Sequence, residues 1–341
     1  MEHIRTLYRR YLRDTAIAEA ARGVKRSAVR MREQLSWRLA EAPDRFRNSI
    51  ARAREAWAGM AGAWRRRRSR AVSHGVDTST TIRNLWYRGR YIARYYWPRI
   101  APAGPWLLAS RETSNFTYDL TARNRAHLAS LIALVVKVPA SQVAAYIDEL
   151  LGDDELKRSV IARVTALGRQ GGLDPTAMFG RRVGWYAIAR ALKPRVIIET
   201  GVEKGLGAAV LCAALLRNSQ EGNPGRYFGT DIDRAAGMLL TEPYRAMGEI
   251  LYGDSLESLA ALDVEIDLFI NDSDHSATYE AAEYDLIEPK LSDRAVVLAD
   301  NAHVTDELYL FAQRTGRQFL FFREEPANHW YLGAGIGLSF R

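Results

Sequence analysis

The stretch Val196-Ile197-Ile198-Glu199-Thr200-Gly201-Val202-Glu203-Lys204-Gly205-Leu206-Gly207 decides the fold. A short β-branched run feeds directly into glycines, and a helical pattern follows near 206–217. That order reads as strand, tight turn and helix N-terminus, where a ligand can approach the backbone closely. The alternation then repeats. Apolar runs at 227–230, 250–252, 268–270, 295–299, 319–322 and 336–340 flank helical patterns near 235–247, 255–261, 277–290 and 304–315. Such alternation predicts an α/β fold built on a doubly wound, mostly parallel sheet of seven strands. No helical pattern separates the last two runs, so the final strand is expected to enter antiparallel.

Upstream, the chain changes character. Residues 1–100 hold 24 Arg/Lys against 8 Asp/Glu, a net of +16, while the remaining 241 hold 24 against 32, a net of −8. Residues 1–104 read as a basic, aromatic-rich helical arm, with a loop at 74–81 and a break at Pro98, Pro102 and Pro105. Residues 105–175 read as a helical auxiliary or lid region with three helices between 124 and 169, and residues 176–341 as the α/β domain, entered by a helix at 176–192. A hydrophobic fraction of 48% and a charged fraction of 26% exclude a disordered chain. One cysteine, Cys212, excludes an internal disulfide and a thiolate zinc cage. No long apolar run or signal-peptide core appears, so a cytoplasmic location is expected, with peripheral contact to a membrane as an option.

The strand ends carry the polar residues that matter. Glu199 precedes Gly201 and Gly205 where a dinucleotide site would want no acid, because a carboxylate repels pyrophosphate and suits a cationic ligand. Asp231, ending the second strand, can accept hydrogen bonds from a ribose diol. Asp254 with Ser255, after the third strand, reads either as a contact for an adenine amino group or as a helix cap. The fourth and fifth strands end in Asp272-Ser273-Asp274-His275 and Asp300-Asn301. Asp272, Asp300 and Asn301 are hard oxygen donors that suit Mg²⁺ or another divalent cation.

The series Glu199, Gly201, Asp231, Gly253-Asp254, Asp272, Asp300-Asn301 resembles that of class I S-adenosylmethionine-dependent methyltransferases, in the E-x-G-x-x-x-G version of catechol-type and caffeoyl-CoA-type O-methyltransferases. The resemblance covers roughly 176–341 and implies S-adenosylmethionine as cofactor, with a divalent metal held at Asp272, Asp300 and Asn301. A lysine expected three residues after Asp272 is replaced by His275, which resembles the D-x-x-H of metal-dependent macrolide-sugar O-methyltransferases, where the histidine is the base. Related sugar enzymes place an aspartate where Asp274 stands. The implied reaction is O-methylation of a sugar, glycoside or other diol-containing small molecule. A catalytically silent cofactor-binding scaffold and an RNA methyltransferase are the alternatives, nucleic acid being disfavoured by the acidic cluster. Arginine with interleaved Trp and Tyr in residues 1–100 suits an anionic membrane surface, or packing on the body or on a second copy of the chain.

Overall fold

The computed structural model describes residues 78–341. The first helix pattern, at 1–72, lies outside the described residues. In chain order the elements are α1 (Thr78–Ile100), α2 (Ala103–Ala109), α3 (Ala122–Val136), α4 (Ala140–Leu151), α5 (Asp154–Leu167), α6 (Arg182–Leu192), β1 (Val196–Thr200), α7 (Leu206–Gln220), β2 (Arg226–Asp231), β3 (Gly248–Tyr252), α8 (Ser255–Ala261), β4 (Ile266–Asn271), α9 (Ala277–Ile287), β5 (Leu291–Asp300), α10 (Glu307–Arg314), β6 (Gln318–Arg323) and β7 (Gly335–Phe340). Tyr91–Arg341 form one compact unit.

The strands make one seven-stranded sheet in the order β3-β2-β1-β4-β5-β7-β6. β1 to β5 run parallel, and β7 is antiparallel to both β5 and β6. The absence of a helix between the last two strands requires this, because a parallel return needs a crossover. Side-chain alternation sorts two cores. Ile197, Leu268, Ile270, Val296 and Leu298 face a layer containing α3 to α7, while their neighbours Ile198, Phe269 and Val297 face Tyr284 and Ile287 of α9 and Phe311 of α10. α7 is small and apolar around most of its circumference, as a helix sandwiched between a sheet and α6 must be.

Three expectations fail locally, each for a backbone reason. The segment 235–247 is a series of turns ending in a short 3₁₀ helix, Tyr244–Met247. Gly237 has φ +78°, and its N–H and that of Leu239 donate to the Glu203 and Lys204 carbonyls (2.8 and 2.9 Å), which ties the segment to the glycine turn instead of a helix. The helix expected from 176 starts only at Arg182, because Gly180 takes φ +52° where a Cβ would lie 2.7 Å from the Tyr118 ring. The loop expected at 74–81 is already helical from Thr78, and α1 continues through Pro98. The polar–aromatic segment around Tyr118 (Arg111, Glu112, Asn115, Tyr118 and Asp119), which reads in sequence either as a lid or as a loop packed on the main domain, is packed. Glu112, Phe116, Tyr118 and Leu120 are buried, and Leu120 bridges to Pro326.

Gly201 is where chain crosses chain: it has φ +81°, and a Cβ there would stand 2.0 Å from the carbonyl oxygen of Asp272. Gly201→Ala is therefore expected to lower the unfolding free energy by about 2 kcal/mol or more, read from urea denaturation. A change below about 0.5 kcal/mol would show that this crossing tolerates a side chain.

Candidate active site

The carboxyl-terminal ends of β1 to β4 open onto a cleft of about 830 Å³. Gly201 forms one wall and Asp231 the next. The Asp231 carboxylate is aimed by backbone: Oδ2 accepts from the Glu203 N–H and Oδ1 from the Asp233 N–H, both at 2.8 Å. Asp254 lines the cleft and is also the cap of α8, its Oδ1 accepting from the Leu256 N–H and the Tyr279 hydroxyl, each at 2.8 Å. The two sequence readings of Asp254 are thus compatible. Ser255 and Asp274 line it too, Asp274 being exposed and accepting from the Ser276 N–H at 2.8 Å.

Glu199 and Gly205 stand behind this surface. Glu199 is 1% exposed and accepts a hydrogen bond from the Tyr227 hydroxyl at 2.5 Å. Burial raises its carboxyl to about 7, against the opposing effects of that hydrogen bond and of Arg182. Gly207 makes room for it, since a Cβ there would lie 2.2 Å from Glu199 Oε1. Gly205 supplies the left-handed residue that starts α7, in contact with Gly237.

Beneath the cleft lies a hub that sequence reasoning missed. The buried Glu283 of α9 accepts from Thr200 Oγ1 (3.0 Å), Ser273 Oγ (2.8 Å), Ser255 Oγ and Asn271 Nδ2. One carboxylate thereby fixes the ends of β1 and β4 and the start of α8, and those donors offset the burial that raises its carboxyl.

On the far side of Asp272 lies a second polar group. His275 Nδ1 is 3.4 Å from Glu280 Oε1, and its Nε2 is 3.3 Å from the Asn301 amide nitrogen and 3.8 Å from Asp272 Oδ1. The neighbours choose the tautomer: Nδ1–H donates to Glu280, and the Nε2 lone pair faces the Asn301 N–H and the site. The Glu280 hydrogen bond holds the imidazole pKa above its usual value, with burial acting the other way. Glu280 is itself buried and accepts from Thr305 Oγ1. The sequence did carry a signal for this pair, because Glu280, Glu283, Tyr284 and Ile287 share one face of α9.

The residues expected to hold a metal meet a protein cation instead. Asp300 is fully buried and bound by Arg181, whose Nη2 donates to Oδ2 while Nε lies against Oδ1. Asn301 turns its amide nitrogen, a donor, toward Asp300 Oδ2 (3.1 Å). A cation would need that carboxylate free and the amide oxygen forward. Among the described residues, no group of three His, Cys, Asp or Glu side chains comes together to hold a metal. Asp272, Asp300 and Asn301 do meet, but around a guanidinium. Asp272 packs against Asp300, and burial followed by that neighbour's charge raises its carboxyl well above the usual range. The signal for Arg181 was the doublet Arg181-Arg182 opening a helix that is buried along most of its length, a place where cations need carboxylate partners.

With this geometry in place, comparison with known proteins is informative. A family model described as "Methyltransferase domain" matches residues 198–302. Those residues are similar to that family over just under a third of the chain. The matched segment runs from β1 to just beyond β5 and contains Gly201, Asp231, Asp272, His275 and Asp300, but not Arg181. No curated protein matches the chain in sequence. Among solved structures, a methyltransferase from Geobacter sulfurreducens is similar at 20% identity, over 59% of this chain and 97% of its own, with a TM-score of 0.42. The O-methyltransferase TomG from Streptomyces achromogenes, solved with S-adenosylmethionine, shows 18% identity over 55% and 89% of the two chains, at 0.41. An O-methyltransferase from Bacillus cereus, solved with S-adenosylhomocysteine, shows 14% over 58% and 96%, at 0.42. The fold of this chain rests on its own strand order and not on these likenesses.

The α/β domain carries a pH-sensitive element behind the glycine turn. Ionisation of Glu199 inside the fold is disfavoured, so its contribution to stability is full below about pH 4.5 and is lost as the pH rises through about 7. Glu199→Gln is expected to gain up to about 2–3 kcal/mol relative to the parent at pH 8.5 compared with pH 4.5. Denaturation midpoints at the two pH values check this, and an equal difference at both would contradict it.

Proposed function

We propose that the cleft binds S-adenosylmethionine and that the protein transfers its methyl group to a hydroxyl of a small-molecule acceptor. One observation carries this reading: among the described residues five carboxylates, Glu203, Asp231, Asp233, Asp254 and Asp274, line the cleft against a single cation, Lys204, with the Asp272 carboxyl beside them. A dinucleotide brings pyrophosphate and would be repelled. S-adenosylmethionine brings a sulfonium and an ammonium against one carboxylate, and so arrives with net positive charge. The open backbone at Gly253, the wall formed at Gly201 and the aimed carboxylate of Asp231 fit its amino-acid and ribose ends. When bound, it supplies an electrophilic methyl group on a cationic sulfur.

The chain's own residues do the rest. Asp231 orients a ribose, with Asp254 beside the base. His275 accepts the acceptor's proton at Nε2 as the new O–C bond forms, and Glu280 steadies the imidazolium that results. Asp274 lies on the cofactor side, exposed, and its carboxylate does not face His275's partners. Beyond Arg181, the Tyr118, His329 and Tyr331 rings pack with centroids 5.7 and 5.3 Å from Tyr118. Tyr118 is buried, and the partly exposed His329 and Tyr331 rings suit a ring with hydroxyls at its edge, such as a sugar or glycoside, by offering aromatic faces to its apolar side. No step runs through a metal, because the donor set does not fit one.

The test is incubation with isotopically labelled S-adenosylmethionine and an extract of the source cells, followed by mass spectrometry. A labelled O-methyl product is expected, with turnover falling about 10²–10⁴-fold in His275→Ala while cofactor binding persists. Glu280→Gln should lower turnover by a smaller factor with little change in KM for the methyl donor. An unaffected His275→Ala with a silent Asp274→Asn control intact would remove the assigned base, and label on nitrogen or carbon would remove the hydroxyl acceptor.

A further inference from the structure

The strongest unassigned feature is the buried guanidinium at the acceptor half of the site. All of Arg181's polar atoms face inward: Nη2 and Nε meet Asp300, Nη1 donates to the Tyr118 hydroxyl at 2.8 Å, and Glu324 Oε1 lies 3.9 Å from Nη1. Asp300 in turn accepts from Asn301, whose same amide nitrogen reaches His275 Nε2. A row of contacts therefore runs from Arg181 through Asp300 and Asn301 to the assigned base. We propose that Arg181, by engaging the Asp300 carboxylate that a divalent cation would need, makes this a metal-independent site in which a fixed guanidinium positions Asp300, Asn301 and His275. A guanidinium is always charged, planar and bidentate toward a carboxylate, and unlike a bound metal it exchanges no ligands and cannot be chelated. Arg181 is a positioning residue, since it acts through Asp300.

The proposal rests on the methyl-transfer reading for its consequence, but its test does not. Mn²⁺ titration followed by electron paramagnetic resonance reads metal binding without any turnover. The wild-type protein is expected to bind no equivalent of Mn²⁺ at millimolar concentration. Arg181→Met, which leaves Asp272 and Asp300 facing each other without a cation, is expected to gain Mn²⁺ binding at least tenfold, and Arg181→Met with Asp300→Asn to lose it again. Where an acceptor is known, excess chelator should leave wild-type turnover unchanged. One bound Mn²⁺ in the wild type that Asp272→Asn abolishes would overturn the proposal, as would a folded Arg181→Met that binds no better than wild type. If Arg181→Met does not fold, the wild-type titration alone decides.

A second, independent observation concerns α1. Leu85, Trp86, Tyr87, Tyr91, Ile92, Tyr95, Tyr96, Trp97 and Ile100 are each 50–68% exposed, and Leu107 and Leu108 of α2 are 71% and 91% exposed. The helix also carries Arg83, Arg88, Arg90, Arg94 and Arg99 and no acidic residue. Leu85, Ile92 and Tyr96 form one row, and Arg83, Arg90 and Arg94, at the same spacing, form another. No described helix is long and apolar enough to cross a membrane. We infer that α1 lies on an anionic bilayer surface, aromatic and aliphatic side chains in the headgroup boundary and arginines on the phosphates. Full-length protein should co-sediment with vesicles of 70:30 phosphatidylcholine and phosphatidylglycerol (roughly the anionic content at which basic segments bind) and not with pure phosphatidylcholine. Leu85→Ser/Ile92→Ser/Trp97→Ser should lower that partitioning at least tenfold. Equal partitioning of the triple variant, or binding to RNA with none to vesicles, would overturn the assignment.

Discussion

A guanidinium shut away from water must be surrounded by acceptors, and Arg181 meets that demand by pulling three distant parts of the chain together. Tyr118 comes from the segment before α3, Asp300 from the end of β5, and Glu324 from just beyond β6. Tyr118 also donates to Glu324, closing the cluster. Taking one partner from such a buried ionic set costs about 3–5 kcal/mol, because it strands the other charge. The helical layer before β1 and the sheet's far edge are therefore joined beside Asp300, at the end of β5.

A second carboxylate organises the cofactor side by a different route. Among the described residues Glu283 has no cation partner and is satisfied by four neutral donors from strand ends and a helix start. Glu283 and Arg181 between them hold the ends of β1, β4 and β5 by buried polar contacts, while carboxylates line the cleft above. On the proposed function, an acidic surface would draw in a cationic methyl donor and lose its hold once the sulfur becomes an uncharged thioether, so that binding and product release would follow from one charge distribution.

Much of this was legible from residues alone. β-branched runs at Val196, Leu268 and Ala295 give buried central strands because alternate side chains have apolar layers on both faces to enter. The missing crossover before Gly335 gives the antiparallel β7. What escaped was long-range. The helical pattern at 235–247 loses to Gly237's contact with the glycine turn, which no local pattern announces. Asp272, Asp300 and Asn301 read as metal ligands because their types and spacing suit a cation. The cation that answers them is Arg181, 119 residues from Asp300 in sequence. Glu199 reads as a cofactor contact from its place beside Gly201, yet it serves Tyr227 beneath the turn.

The account stands or falls on what enters the acidic cleft. Calorimetric titration of the full-length protein with S-adenosylmethionine, S-adenosylhomocysteine and NAD is the most direct measurement, made in parallel on Asp231→Ala. The account predicts that both sulfur compounds bind one per chain, that NAD does not, and that Asp231→Ala weakens binding by about 1.5–3 kcal/mol through lost hydrogen bonds to a charged acceptor. NAD binding in place of the sulfur compounds, or an Asp231→Ala variant that binds them unchanged, would contradict it.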